Sequence, residues 1–134
     1  MEKFSLLRDG ILFSKSLFIC VFAFFIVFTG KAQVADSVLL KELADKKSTA
    51  IIDVRTPQEF AEGHIANSLN IPLDEVCDSL LTLKRYENLI LVCRSGGRSR
   101  KALLILQNEE GLGNLYNGGG WQFLEKILIT KRRQ

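Results

Sequence analysis

The chain has 134 residues and a formal net charge of +3, and 47% of its residues are hydrophobic while 25% are charged. This length and balance are typical of one ordinary globular domain, and they exclude a disordered chain. A nucleic-acid-binding domain would show a clustered basic face, whereas the one basic run here, 131–133, is typical of a solvated terminus. We therefore expect no nucleic-acid partner.

Residues 1–32 differ in composition from the rest of the chain. Three basic residues precede an apolar run at 17–29, and the small residues Gly30 and Ala32 follow it. The run is shorter than the about 20 residues that a membrane-spanning helix needs, but it fits the hydrophobic region of a signal peptide. We predict a signal peptide over 1–32, a domain over 33–134, and export to the periplasm. The alternatives are an uncleaved N-terminal membrane anchor and a buried core helix.

Removal of residues 1–32 leaves two cysteines, Cys77 and Cys93, and a net charge of +1, because four basic and two acidic residues are lost. Compartments outside the cytosol tend to oxidise thiols, so a disulfide between the two is one interpretation. His64 is the only histidine, and the two cysteines are sixteen positions apart. Because this spacing is not that of a metal site, we expect no metal and no cofactor.

The first half of the predicted domain has the pattern helix, strand, helix, strand. Asp36 can cap a helix with apolar residues over 38–44. The β-branched run over 50–54 has the pattern of a buried strand in a parallel sheet. A short helix begins with Pro57 in its first turn, and a brief strand follows over 66–71.

The second half continues the alternation and predicts an α/β layered fold, with a central parallel sheet flanked by helices. Ligands in such folds bind beyond the carboxyl ends of the strands, where Asp53, Arg55 and Cys93 fall. The predicted elements are a helix over 73–83 with Leu73, Val76, Leu80, Leu81 and Leu83 facing inward, a strand over 89–92, a helix over 98–107, a strand over 115–116, a turn over 117–120 and a helix over 121–129.

The segment from Cys93 to Ser99 carries the clearest chemical signal. A strand that ends in Cys, followed by a Gly-rich turn and a helix, places the sulfur among backbone N–H groups that bind anions. A free thiol, with a pKa of about 8.5, is mostly protonated at neutral pH. Each charge-assisted hydrogen bond to the thiolate contributes about 1.5–3 kcal/mol, so one or two would make the thiolate the main form. We therefore predict that Cys93 is a nucleophile.

The other residues of this loop suit an anionic substrate. Gly96 and Gly97 allow positive φ and close backbone approach, and Arg94 and Arg98 present planar forks that match an oxyanion. Four residues separate Cys93 from Arg98. That ring is one residue tighter than in tyrosine-class phosphatases, and it suits one extra sulfur atom on the cysteine. The plainer interpretation is a Cys packed at a strand end beside two solvated arginines.

Taken together, residues 33–134 resemble the rhodanese-like sulfurtransferases. An exported single domain of this kind is similar to the periplasmic thiosulfate sulfurtransferases of the phage-shock type. The sequence departs from the usual pattern over 117–120, at the rim of the expected pocket. The motifs that carry the resemblance are Asp53-Val54-Arg55 with Glu59-Phe60, Gly63-His64-Ile65, Ser68-Leu69-Asn70-Ile71-Pro72, the Cys93 to Ser99 loop, and Asn117-Gly118-Gly119 with Trp121.

The resemblance implies a reaction and a set of roles. The Cys93 thiolate would take the outer sulfur of thiosulfate, release sulfite, and pass the sulfur from a persulfide to cyanide, a thiol or an acceptor protein. Substrate-binding roles fall to Arg94, Ser95, Gly96, Gly97, Arg98 and Ser99. Supporting roles fall to Asp53, Arg55, Glu59 and His64, the last by ordering the turn at Gly63.

Two other function classes stay open. Rhodanese-like domains also serve as non-catalytic binding modules, usually with the cysteine replaced. A thiol redox or phosphatase-type enzyme would depend on Cys77 as a second thiol or on the anion-binding loop. We interpret Cys77 as a structural residue, with a resolving thiol as the alternative.

Overall fold

The computed structural model describes residues 34–132, so the predicted signal peptide lies outside the described residues. Within 34–132, no helix combines the length and apolar character needed to cross a bilayer. The elements of this part are α1 (Ser37–Ala44), β1 (Thr49–Asp53), α2 (Pro57–Ala61), β2 (Leu69–Asn70), α3 (Leu80–Leu83), β3 (Asn88–Cys93), α4 (Gly97–Leu106), β4 (Asn114–Gly120) and α5 (Trp121–Arg132).

The four strands form one parallel sheet in the order β2-β1-β3-β4, which confirms the predicted α/β fold. β3 lies between β1 and β4 and is buried at all six positions, as its continuous apolar sequence predicts. The pairing sets Asp53 of β1 opposite Val92 of β3, and Cys93 opposite Gly120 of β4. The carboxyl ends of three strands therefore meet at Cys93.

Alternate residues of β3 face two separate helical layers. Ile90 and Val92 pack against α1 and α5, while Leu89, Leu91 and Cys93 pack on the face covered by α3 and α4. Each fully buried Leu, Ile or Val side chain contributes about 1.5–3 kcal/mol, so this strand is a major source of stability. It also fixes the position of Cys93, the last residue of the strand.

Two helix starts follow their sequence signals. The Asp36 carboxylate accepts a hydrogen bond of 2.8 Å from the Val38 N–H, as expected for a cap of α1. α2 begins with Pro57 and has a capping box between Thr56 and Glu59, in which each side chain accepts from the other residue's backbone N–H. The capping box holds the Glu59 side chain at the start of α2.

The predicted helix over 73–83 is wrong in its length and in the inward position of Leu81, whereas the predicted core contacts of Leu73, Val76, Leu80 and Leu83 are confirmed. A single 3-10 turn over Leu73–Glu75 is followed by backbone turns, and α3 occupies only Leu80–Leu83. Asp78 and Ser79 precede α3, and both types favour caps and turns over helix interiors. Because the helix starts so late, its core face is made by Leu80 and Leu83, while Leu81 is 85% exposed.

The predicted turn over 117–120 is also wrong, because β4 continues through Gly120. Its pairing with β3 shifts at a bulge between Leu91 and Val92. A Cβ atom on Gly118 would lie 2.8 Å from side-chain carbons of both Ile90 and Val92. The glycine therefore serves close packing of β4 on β3 rather than a reversal of the chain.

Candidate active site

Cys93 ends β3 with its side chain 1% exposed, surrounded by donors from the loop that follows. The Gly96 N–H donates to Cys93 Sγ over 3.1 Å, and the backbone N–H groups of Ser95 and Ser99 are further donors. These N–H groups converge because the chain turns from β3 into the first turn of α4. The result is a nest of backbone N–H groups around the sulfur, the kind of arrangement that can bind an anion.

The Ser99 hydroxyl lies between the sulfur and the end of β4. Its oxygen is 2.8 Å from Asn117 Oδ1 and 3.7 Å from Cys93 Sγ. A hydroxyl has one proton to donate, and we assign it to the shorter contact with Asn117. Asn117 Oδ1 also accepts from the Gly119 N–H over 3.0 Å, so this buried amide joins α4 to the end of β4.

The loop favours the thiolate form of Cys93. Burial raises the pKa of this thiol, but hydrogen bonds from the backbone of Ser99, Ser95 and Gly96 outweigh burial and hold the pKa below its usual value. Donors that bond the charged form of a group favour that form. The hydrogen bonds to the sulfur therefore favour ionisation of Cys93 before any substrate binds.

The two glycines of the loop differ in their conformational role. Gly96 has a φ of +96°, and a Cβ atom on it would lie 3.3 Å from the Gly119 Cα. The expectation of positive φ and close approach is confirmed there. It is wrong for Gly97, which lacks a positive φ and would have no atom within 4 Å of an added Cβ, because the residue already belongs to α4.

Arg98 is bound by Glu59 of α2. Its Nη1 and Nη2 atoms donate to the two carboxylate oxygens over 2.6 and 2.7 Å. The Arg98 guanidinium, followed by the N–H and hydroxyl of Thr56, lowers the pKa of Glu59 from 4.5 to about 2. The two parallel hydrogen bonds fix the orientation of the Arg98 guanidinium, in addition to the attraction between the opposite charges. Glu59 thereby ties the helix after the loop to α2.

Arg94 and Ser95 lie at the surface of the loop. Among residues 34–132, the Arg94 side chain has no hydrogen-bond or ion-pair partner. The two arginines of the loop are therefore unequal, since Arg98 is held by a carboxylate and Arg94 points its charge to solvent. An exposed, unpaired guanidinium is available to an incoming anion.

Asp53 and Arg55 form a buried ion pair beneath the site. The Arg55 backbone N–H, Nε and Nη2 donate to the Asp53 carboxylate over 2.7 to 3.0 Å. Arg55 Nη2 also donates to the Gly63 carbonyl over 2.6 Å, and the guanidinium lies 4.6 Å from the centroid of the Trp121 ring. The pair thus joins the end of β1 to the turn at Gly63 and to the start of α5.

Among the described residues, the hydrogen bond and the ring contact of the His64 side chain are both with Phe60. Its Nδ1 is 2.9 Å from the Phe60 carbonyl oxygen, and the two rings stack with centroids 3.9 Å apart. These contacts lie in the connection between α2 and β2, next to the Gly63 turn. The supporting role given to His64 stays a prediction, and this geometry is compatible with it.

The two cysteines of the described part are both free. The disulfide interpretation is therefore wrong in this structure. Cys77 lies exposed in the turns before α3, whereas Cys93 is buried in its nest. Cys77 therefore belongs to the surface, and it has no part in the arrangement around the Cys93 sulfur.

Asn117 and Trp121 take part in the site in ways that the sequence interpretation missed. Asn117 was placed at the start of a turn, yet it is 6% exposed and accepts from Ser99 and Gly119. Trp121, which the sequence analysis names only as part of a motif, covers the Arg55 guanidinium. A polar amide at the carboxyl end of a parallel strand is the signal that would have pointed to Asn117.

Comparison with known proteins identifies the family of this chain. Residues 37–124 match the Rhodanese-like domain family. The chain belongs to this family.

Several curated relatives carry sulfurtransferase names, and two of them illustrate the similarity. A protein called Sulfurtransferase from Allochromatium vinosum is 32% identical over 79 residues, which cover 59% of this chain and 73% of the relative. Thiosulfate sulfurtransferase PspE from Escherichia coli is 34% identical over 82 residues, which cover 60% of this chain and 75% of the relative. The family resemblance inferred from the motifs is thereby confirmed.

A solved structure supports the fold in the same way. The Rhodanese-like Domain Protein from Staphylococcus aureus is 34% identical and superposes with a TM-score of 0.52, covering 63% of this chain and 81% of that chain. The parallel four-stranded sheet with helices on both faces is thus a rhodanese fold.

Proposed function

We propose that this chain is a sulfurtransferase that moves a sulfane sulfur from thiosulfate or a related donor, through a Cys93 persulfide, to cyanide or a thiol. The observation that carries the proposal is the Cys93 sulfur set among backbone N–H donors that lower its pKa. A further support is the ring of four residues between Cys93 and Arg98, which suits one extra sulfur atom. Relatives named sulfurtransferase agree with this chemistry.

The first half of the reaction loads the cysteine. The Cys93 thiolate attacks the outer sulfur of thiosulfate, a sulfur–sulfur bond forms to Cys93, and the bond to the sulfonate breaks. Sulfite leaves with the electron pair of that bond, and the outer sulfur stays on Cys93 as a persulfide anion. In the second half, cyanide attacks the outer sulfur, thiocyanate leaves, and the Cys93 thiolate returns. Splitting the transfer into two displacements is covalent catalysis.

The loop residues have distinct roles in this reaction. Arg94, with its exposed guanidinium, binds the sulfonate and the leaving sulfite. The N–H groups of Ser95, Gly96 and Ser99 stabilise negative charge on the thiolate and then on the persulfide. Arg98, held by Glu59, positions the loop and adds positive charge next to it.

The test is thiocyanate formation from thiosulfate and cyanide by protein purified from cells that express the full chain. Cys93→Ser should abolish turnover, because serine supplies no thiolate, while Cys77→Ser should keep the wild-type rate. Intact-protein mass spectrometry after thiosulfate treatment should show one added sulfur atom on Cys93 in both the wild type and Cys77→Ser.

Three results would contradict the proposal. Folded protein that gains no sulfur from thiosulfate or from other sulfane donors would favour a binding module. Hydrolysis of a phosphate ester without any sulfur transfer would favour a phosphatase-type enzyme, and a Cys77–Cys93 disulfide trapped after turnover would favour a thiol redox role.

We also propose that the enzyme acts outside the cytosol, with residues 1–32 removed as a signal peptide. The composition of this segment supports the proposal, since basic residues, an apolar run and small residues follow one another. Mass spectrometry of the protein recovered from a periplasmic extract should give an N-terminus near Gln33. Recovery of the intact N-terminus in the membrane fraction would favour an anchor instead.

A further inference from the structure

Asn117 lies where the pairing of β4 with β3 changes. It is paired with Leu91, the next pair is Val92 with Gly119, and Gly118 is the extra residue at this bulge. Bulges are frequent next to functional sites, where they redirect side chains. Asn117 is 6% exposed and lies within hydrogen-bond distance of Ser99. The end of β4 thus carries a buried amide on the face of the sheet that α4 covers.

The Gly119 N–H determines which atom of the Asn117 amide faces Ser99. This N–H donates to Asn117 Oδ1 over 3.0 Å, and the same oxygen is 2.8 Å from Ser99 Oγ. A backbone N–H can only donate, so the amide oxygen, and not the amide nitrogen, must face it. Ser99 therefore meets an acceptor, and its hydroxyl proton is bound by Asn117.

The Ser99 hydroxyl has one proton and three acceptors within reach. Besides Asn117 Oδ1, its oxygen is 3.1 Å from the Gly96 carbonyl oxygen and 3.7 Å from Cys93 Sγ. A hydroxyl rotates to suit its acceptors, and a charged acceptor binds a proton donor more strongly than a neutral one. Negative charge on Sγ therefore draws the hydroxyl away from Asn117, and an uncharged Sγ leaves it there.

The charge on Sγ changes twice in each turnover of the proposed reaction. In loading, Sγ bonds to the outer sulfur of thiosulfate, sulfite leaves with the electron pair of the broken bond, and the negative charge moves to the outer sulfur. In discharge, cyanide bonds to the outer sulfur, and the electron pair of the broken sulfur–sulfur bond returns to Sγ. A permanent donor to Sγ would weaken it as a nucleophile in the first step and assist it as a leaving group in the second.

We infer that Asn117 is a positioning residue that competes with the Cys93 sulfur for the Ser99 proton and thereby balances loading of the persulfide against its discharge. The inference rests on the sulfurtransferase function proposed above. Asn117 holds the hydroxyl while Sγ is uncharged in the persulfide, and releases it to Sγ as the leaving thiolate forms. Ser99 keeps its proton throughout, because only the partner of its hydrogen bond changes.

The other influences on the acidity of Cys93 stay constant in a test of this competition. Burial raises the pKa of Cys93, and hydrogen bonds from the loop backbone and from the Ser99 hydroxyl lower it. Asn117→Ala and Ser99→Ala alter none of the charged groups around the sulfur. These groups are Arg94, which is next to it in the chain, Arg98 of α4 with its partner Glu59 of α2, and Asp53 of β1 with its partner Arg55.

The first measurement is the pH dependence of Cys93 alkylation by iodoacetamide, read by mass spectrometry of the peptide that contains Cys93. The protein is purified from cells that express the full chain. Asn117→Ala frees the Ser99 hydroxyl for Sγ, so the midpoint should fall by about 0.5–1 pH unit, the effect of one hydrogen bond. Ser99→Ala should raise the midpoint by a similar amount. The double variant should match Ser99→Ala, because Asn117 acts only through Ser99.

The second measurement follows the two half-reactions in single turnovers, at one pH above all the midpoints. Asn117→Ala should slow loading by thiosulfate and accelerate discharge by cyanide, each by about twofold to threefold. A variant that only loosens the loop would slow both. Asn114→Ala is the matched control, because Asn114 begins β4 and its amide donates to Asn88. It should leave the midpoint and both rates unchanged.

A second substitution guards against a variant that fails to fold. Asn117→Ser still offers an oxygen to the Gly119 N–H two residues on, but its side chain is one bond too short for the contact with Ser99. It should therefore shift the midpoint and the two rates in the same directions as Asn117→Ala.

The outcomes separate the two proposals. Wild-type protein that takes up no sulfur from thiosulfate would overturn the sulfurtransferase function and this role with it. Protein that loads normally would overturn the role of Asn117 alone in three cases. These are a midpoint that stays unchanged or rises in the Asn117 variants, half-reactions that both slow, and the same changes in the absence of Ser99.

Discussion

Two arginine–carboxylate pairs lie close to the Cys93 loop, and they differ in burial and in what they join. The inner pair, Asp53 and Arg55, lies at the end of a single strand with side chains 1% and 5% exposed. The outer pair, Glu59 and Arg98, joins two helices across 39 positions of sequence, with side chains 27% and 34% exposed.

The difference indicates separate tasks for the two pairs. Neither member of a buried pair can be removed alone without leaving an uncompensated charge, so the inner pair is tied to stability. A half-exposed pair is screened by water and salt and contributes little to stability. The outer pair holds Arg98 of the Cys93 to Ser99 loop, so its effect should appear in catalysis.

The largest effect should come from breaking the inner pair. Asp53→Asn leaves Arg55 buried beside a neutral amide, and we expect the free energy of unfolding to fall by about 3–5 kcal/mol. Urea unfolding, followed by circular dichroism, measures this change.

The double variant Asp53→Leu/Arg55→Met tests whether charge is the cause. It removes both charges, and should recover most of the lost stability, because an apolar pair of similar volume is often as stable as a buried ion pair. If the free energy of unfolding of Asp53→Asn were within about 1 kcal/mol of the wild-type value, the inner pair would not support the fold in the way proposed.

An intermediate effect should come from the shape of the loop between the two pairs. Gly96→Ala puts an alanine in a left-handed backbone conformation, which costs about 1–2 kcal/mol. It also brings the added Cβ atom against the Gly119 backbone. It should also displace the N–H donor to Cys93 and slow sulfur loading by more than its effect on stability. Denaturant unfolding and single-turnover loading measure the two effects.

Gly97→Ala is the matched control for this prediction. Its Cβ would meet no atom within 4 Å, and alanine suits a helix better than glycine. The variant should therefore load at the wild-type rate with unchanged or slightly higher stability. Equal losses in the two variants would argue against the positive φ at Gly96 as the feature that matters.

The smallest effect on stability should come from the outer pair. Glu59→Gln should change the free energy of unfolding by about 0–1 kcal/mol, as is usual for exposed pairs. It should raise the KM for thiosulfate by about fivefold, equal to about 1 kcal/mol, because the loop loses its bidentate tie to α2. Glu62→Gln, at an exposed carboxylate on the same segment, should leave KM unchanged. A large loss of stability with unchanged KM would reverse the comparison between the two pairs.

The pH dependence of stability offers a separate test of the outer pair. The pKa of Glu59 is lowered from 4.5 to about 2 in the folded protein. A depressed carboxyl pKa contributes stability that is complete above about 4.5 and is lost as the pH falls toward about 2. Wild type should therefore lose stability more steeply than Glu59→Gln between these two pH values, in urea unfolding series at matched ionic strength.

Much of the fold follows from local patterns. Continuous apolar runs correctly predicted β1 and β3, and the cap at Asp36 and Pro57 in a first turn correctly placed the starts of two helices. The failures lie where local pattern and packing compete. Leu81 fits the apolar face of a long helix over 73–83, but the helix that forms is only Leu80–Leu83, and Leu81 lies on its exposed side. The glycines at 118–120 resemble a turn, but the strand uses them for close contact with β3.

The sequence by itself determined the family, the alternation of strands and helices, and the position of Cys93 before a Gly-rich turn, because each depends on residues near one another in the chain. Only the tertiary structure decided which arginine Glu59 holds, and that Asn117 accepts from Ser99. These contacts depend on how β3, β4 and α2 are packed, and packing across many residues of sequence leaves no periodic pattern for the sequence to show.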